Sequence, residues 1–187
     1  GVACLEFHSK MNAVDNDTLW MVKEAAKIDK KGFKALVIAN DSSNFSAGAN
    51  IGMALFAANL AMWPLLEQTF REGQSAYSAL KYSPIPVVAA PAGMALGGGC
   101  EVCLHADFVN AHSELYMGLV EVGVGIVPGW GGVKEMIFRH LQNKKRPGGP
   151  MPALMEVFQT IGLAKVSTSA SEARDLLFLG KKNSITM

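Results

Sequence analysis

Apolar residues in this chain gather in short β-branched runs, and between them lie stretches whose apolar positions recur at helical spacing, the alternation that builds β-α-β units. Residues 2–7 read as a first strand. Residues 12–17 form a polar turn in which Asp15 or Asp17 can cap a helix reaching about Lys30, with Leu19, Val22 and Ala26 on one face. Gly32 ends that helix, and residues 35–39, apolar throughout, predict a strand covered on both faces. A loop of turn formers follows over residues 40–51, the place where α/β architectures bind ligands. Residues 53–82 read as a long, mostly helical region. Its apolar start, with Met53, Leu55, Phe56, Leu60, Met62 and Trp63, suits either core packing or a pliable wall for an apolar ligand.

Further along, residues 86–90 predict a buried strand, 100–105 a helix, 106–111 a strand and 114–118 a short extended piece. A glycine-rich loop over 123–132 leads into a helix over 133–140, where Glu135 and Arg139 stand as an i,i+4 pair. Residues 143–150 read as an exposed basic connection, followed by helices over 153–161 and 171–179.

The 187 residues, half of them apolar, suffice for one domain spanning the chain with a substantial core. With 17 basic against 16 acidic residues, no overall field draws nucleic acid or an anionic membrane. Pro84, Pro86 and Pro91 interrupt the most apolar stretch, so no run reaches the length of a membrane span. Three cysteines (Cys4, Cys100, Cys103) show no disulfide framework and fit a reducing cytoplasm. The chain opens at Gly1 directly into strand-like residues, as an excised domain does.

The chemistry concentrates where a buried strand meets Gly97, Gly98 and Gly99 and a helix begins. Glycine lets the backbone at Gly98 approach a ligand closely, and the first N–H groups of a helix carry partial positive charge, so such a turn can hold an oxyanion. Glu101 adds a carboxylate within the first turn. Close helix–strand packing alone would also explain the glycines. Other motifs fail: Cys100-x-x-Cys103 has no second Cys/His pair for a metal, and His112-Ser-Glu114 has no following Pro-Cys-x-x-Cys. Gly123-Val-Gly125 lacks the third glycine of a dinucleotide fingerprint, and Gly73-Gln-Ser75-Ala-Tyr77 lacks the last glycine of a nucleophile elbow. His8, His105, His112 and His140 are dispersed, and nothing points to a covalent nucleophile or a metal.

Three pieces hold together: Phe45-Ser-Ala-Gly-Ala-Asn-Ile, Gly97-Gly-Gly-Cys-Glu, and Glu121 followed by Ile126-Val-Pro-Gly-Trp-Gly-Gly. In this order and spacing they resemble the enoyl-CoA hydratase/isomerase, or crotonase, family over nearly the whole chain. The resemblance implies an α/β fold, the ClpP/crotonase-like ββα superhelix. It implies an oxyanion hole from the backbone N–H groups of Ala49 and Gly98, with Glu101 and Glu121 matching the two glutamates of hydratases. Two carboxylates flanking one water can deprotonate it and deliver a proton to Cα, whereas an isomerase generally needs one. Which glutamate acts as base stays open. The resemblance further implies CoA contacts at Ala47, Asn50, Ile51 and Lys10, and an acyl pocket at Met53, Phe56 and Trp130. No cofactor is implied, since coenzyme A belongs to the substrate. Asn50 replaces a residue often acidic in the family, Val120 one commonly proline, and Lys10 matches only with a one-residue slip.

The resemblance also implies a homo-trimer or hexamer, C-terminal helices that would follow Met187, and a likeness to crotonase-type domains fused to an NAD-dependent 3-hydroxyacyl-CoA dehydrogenase. No NAD chemistry falls on these residues. The expected activity is enoyl-CoA hydration in fatty-acid β-oxidation. The alternatives are an enoyl-CoA isomerase or a non-catalytic acyl-CoA-binding or assembly domain.

Overall fold

A computed structural model describes residues 1–145 and 147–187. Strands β1 (Val2–Leu5), β2 (Ala35–Ile38) and β3 (Val87–Ala89) lie side by side, all parallel, with Leu36 opposite Val87 and Ile38 opposite Ala89. A parallel pair, β4 (Gly93–Leu96) and β6 (Leu115–Gly118), forms a second, two-stranded sheet. The first sheet continues outward through β5 (Phe108–His112) to β7 (Ser184–Thr186). Parallel neighbours need crossovers, and here these include α1 (Asn16–Ala25), α2 (Ile51–Asn59), α3 (Trp63–Lys81) and α4 (Gly98–His105). The β2 side chains Leu36 and Ile38 are fully buried in a core shared with Val22, Leu80 and Val102.

Several expected boundaries move, each for a local reason. Asp15 caps α1, accepting from the Thr18 N–H at 2.8 Å, but the helix stops at Ala25 rather than near Lys30. Ser83 Oγ donates to the Ala26 carbonyl (2.9 Å), the acceptor a continuing helix would offer Lys30, and a 3-10 turn over Ile28–Lys31 follows, closed by Gly32 at φ 83°. The helical region after Met53 divides into α2 and α3. Pro64 has no N–H to offer the Leu60 carbonyl, and Ala61 turns the chain at φ 51°. The first strand ends at Leu5; the Phe7 N–H turns to Asn40 Oδ1 (2.6 Å).

Downstream lie α5 (Gly132–Leu141), α6 (Pro150–Gly162) and α7 (Ala170–Asp175). The expected Glu135–Arg139 pair does not form. Glu135 instead pairs with Lys81 and Lys134, while Arg139 donates to the Phe178 and Leu104 carbonyls. Helix α7 ends at Asp175 rather than at Leu179, because Leu177 turns at φ 64° and sends Phe178 and Leu179 into the core. Part of the expected connection over 143–150 falls on residue 146, outside the described residues.

Candidate active site

The loop after β2 reaches the small sheet through Ser46, whose N–H donates to the Met94 carbonyl and whose carbonyl accepts from the Leu96 N–H. Residues 45–49 are thereby laid beside the glycine turn that opens α4. Ser46 Oγ donates to the Asn12 carbonyl (2.7 Å) and accepts from the Gly48 N–H (3.2 Å). The backbone comes close enough that a Cβ on Gly48 (φ 95°) would stand 2.8 Å from the Leu96 carbonyl oxygen and 3.3 Å from the Gly98 nitrogen.

Each glycine of the turn faces a different piece of the site. A Cβ on Gly97 would meet Glu121 Oε1 at 3.2 Å, one on Gly98 would meet the Trp130 ring at 2.7 Å, and one on Gly99 would meet Ser46 Cβ at 2.6 Å. Close packing and ligand approach are therefore served by the same three residues. The Tyr77 hydroxyl donates to the Gly98 carbonyl (2.9 Å) and anchors the turn from below.

Two N–H groups are left over. Val14 bonds the Gly48 carbonyl and the Asn50 N–H, so the intervening Ala49 N–H points the other way, and Gly98 opens a helix, where N–H groups have no intrahelical partner. Neither N–H finds a partner among the described residues.

Glu101 is buried one turn into α4, and its Oε1 accepts from the Trp130 N–H (3.0 Å) and the Gly132 N–H (2.8 Å). Gly131, at φ 112°, turns the loop between those two donors. Burial pushes the Glu101 carboxyl up to about 8, helped by the charge of Glu121 and opposed by the two N–H groups. Glu121 lies on a 3-10 turn over Glu121–Val124 with Oε1 against Gly97, and its Oε2 is buried without a hydrogen-bond partner among the described residues. Burial raises its pKa as well. Glu121 thus lies against Gly97, Glu101 lies near enough to feel its charge, and burial favours a proton on both.

A carboxyl whose folded pKa lies above its unfolded value costs stability as pH rises from about 4.5 towards 8, because the folded state holds the proton longer. Glu101→Gln removes this cost while Oε1 keeps its two donors. The variant is expected to melt several degrees above the parent at pH 8.5, with the gap closing towards pH 4.5. Thermal scans at both pH values check this.

The remaining expected residues are placed as follows. The Ala47 N–H donates to the Met11 carbonyl (3.1 Å), which brings the exposed Lys10, on the 3-10 turn Lys10–Asn12, beside the loop. Asn50 stands at the N-cap position of α2, exposed and without a side-chain capping bond. Asn50, Ile51 and Met53 line a 270 Å³ cavity that also touches Ala49 and Trp130. Ile51, Met53, Ala54 and Ala57 are the α2 positions that line it, and Phe56, as exposed as Met53, lies outside the cavity wall. The buried Trp130 packs edge-on against Tyr77 (5.3 Å) under Gly98, so it is floor to the turn as well as cavity wall. Cys100 and Cys103 are buried with their thiols pushed up, Cys103 to about 12. Among the described residues no group of three or more His, Cys, Asp or Glu is placed to hold a metal ion, and no helix is long and apolar enough to cross a membrane.

The sequence alone does not predict the roles of Tyr77, Ser46 and the backbone of Trp130 and Gly132. The glycines around Trp130 are the local signal for it, since convergence of two N–H groups on a distant carboxylate is a tertiary fact.

Residues 1–145 match the family model described as enoyl-CoA hydratase/isomerase. The chain belongs to that family. As a member of the enoyl-CoA hydratase/isomerase family it is 45% identical over 186 residues to a Bacillus subtilis (strain 168) protein named "Probable 3-hydroxyacyl-CoA dehydrogenase", covering all of this chain and 23% of that protein. It is 38% identical over 129 residues to the crotonyl-CoA hydratase of Syntrophomonas wolfei, covering 67% of this chain and 48% of the relative. The chain thus spans under half the length of either relative. An enoyl-CoA hydratase from Polaromonas sp. JS666 shares its fold at a TM-score of 0.81 and 20% identity, over 98% of this chain and 66% of that one. The fold is the α/β crotonase type.

Proposed function

We propose that this chain is an enoyl-CoA hydratase, adding water across a trans-2-enoyl-CoA to give a 3-hydroxyacyl-CoA in fatty-acid β-oxidation. The observation that carries the reading is the second carboxylate: Glu121 lies against Gly97 while Glu101 sits one turn beyond it.

In this reading the thioester oxygen lies on the Ala49 and Gly98 N–H groups. As water adds at Cβ, the π electrons move onto that oxygen, and fixed donors stabilise the charge without reorganising. The glutamate pair carries one proton between its members. The ionised carboxylate takes a proton from the attacking water and the protonated one gives its own to Cα, so the pair ends with the protons it began with. Burial keeps that shared proton in place at neutral pH. Lys10, Ala47, Asn50 and Ile51 contact the CoA portion, and Met53 and Trp130 bound the acyl chain. Coenzyme A arrives with the substrate and no further cofactor takes part.

The turnover number should follow a bell in pH. It falls above about 8, where Glu101 loses its proton, and falls again at an acid limb above the ordinary carboxylate value of 4.5, where both groups are protonated. A pH–rate profile on a 2-enoyl-CoA tests this, and flat activity from pH 5 to 10 would contradict a titrating pair.

The name and length of the Bacillus subtilis relative support a place beside a 3-hydroxyacyl-CoA dehydrogenase module, which would oxidise the hydration product. Assembly as a trimer or hexamer would cover the exposed apolar residues Phe138, Met155, Phe158 and Leu163 on α5, on α6 and just beyond it. Three free cysteines suit a reducing cytoplasmic setting.

A further inference from the structure

We infer that the cavity beside Ala49 limits the acyl group to medium length, and that Leu65, closing against Leu19, is the stop. The inference rests on the acyl-CoA reading above and names the chain length that the same site takes. The cavity touches Ala49 and Trp130 and runs between mainly apolar walls that include Val14, Leu66, Phe70 and Ile126, with Asp15 and Asp17 at the start of α1 also on its lining. Its 270 Å³, set against the ~30 Å³ of a water-sized unit, takes about nine chain atoms of methylene size.

A second cleft, of 420 Å³, lies between α1 and α3, and the two spaces have Asn16, Leu19, Leu65 and Thr69 in common. Those four residues form the threshold between them. On its far side the walls change character: Lys23 pairs with Glu72 at 3.2 Å, and Gln68 stands beside them. A methylene buried in the inner cavity raises affinity by up to about fourfold. One that passes the threshold meets an ion pair and solvent, and the gain stops. Leu19 is 2% exposed and fixed in the core, whereas Leu65 is 39% exposed at the start of α3, so Leu65 is the side of the threshold that a substitution can move.

Calorimetric titration with saturated acyl-CoAs from C4 to C16, which cannot be hydrated, reads this directly. In the parent protein, affinity should rise two- to fourfold per methylene to about C8–C10 and then level. Leu65→Ala should move the break to longer chains and Leu65→Trp to shorter ones, with C4 affinity in both variants within twofold of the parent as the control for folding. An unbroken climb to C16, or a break that neither variant moves, overturns the inference. Chain-length-dependent binding without hydration of 2-enoyl-CoAs would sink the hydratase reading and leave the stop at Leu65 standing. Failure to bind any acyl-CoA overturns both.

Discussion

Glu101→Gln and Glu121→Gln should each lower the turnover of a 2-enoyl-CoA by roughly 10²–10⁴ while leaving acyl-CoA affinity within a few-fold. The size follows from the division of labour. Each variant leaves one carboxylate where two are needed to pass a proton from water to Cα, and neither removes a donor to the thioester oxygen. For Glu101 the side-chain oxygen that takes the Trp130 and Gly132 N–H groups survives in glutamine, so the loop keeps its anchor. For Glu121 the substitution falls on a short 3-10 turn, with Oε1 still able to lie against Gly97. Steady-state kinetics with calorimetric binding of a saturated acyl-CoA separates chemistry from affinity. Full turnover in both variants would refute the role of the pair.

Gly98→Ala is the second large effect. The new methyl would sit 2.7 Å from the Trp130 ring, which is itself held between Tyr77 and the Gly73 backbone, so the ring cannot retreat. The turn must shift instead, and with it the Gly98 N–H. Losing one oxyanion donor costs about 10²–10³ in turnover. The turnover number should fall while the Michaelis constant changes little, because the donor matters most when charge has moved onto the oxygen. A circular-dichroism melt of the same sample shows whether the fold survives. A folded variant with parental turnover would remove Gly98 from the oxyanion hole.

Much of this was legible in the chain. The uniformly apolar β2, the buried strand β3, and the glycine turn and helix at Gly98 follow from local pattern, and the two glutamates follow from resemblance to a family. What was hidden depends on groups distant in sequence. Ser83 ends α1 by taking the Ala26 carbonyl from 57 residues away, and Lys81 draws Glu135 from its helical neighbour Arg139. Strand β4 has no local signature, because its Gly-Met-Ala-Leu gains strand character only by pairing with β6 and Ser46. β7 likewise depends on β5, against which Ile185 lies opposite Ala111. At the site, the glycines announced a close approach but not what approaches, and the answer differs at each: a carboxylate, an indole and a serine. The resemblance places Phe56 in the acyl wall with Met53, whereas the α2 residues that line the cavity are Ile51, Met53, Ala54 and Ala57.

The central claim is hydration, and the most direct measurement offers the protein crotonyl-CoA and a 3-enoyl-CoA in parallel. Loss of the conjugated thioester absorbance is followed, and the products are identified. Hydration predicts loss of that absorbance from crotonyl-CoA with 3-hydroxybutyryl-CoA as the product. Migration of the 3-enoyl double bond with no hydration of crotonyl-CoA, or binding of both thioesters with neither consumed, would contradict it.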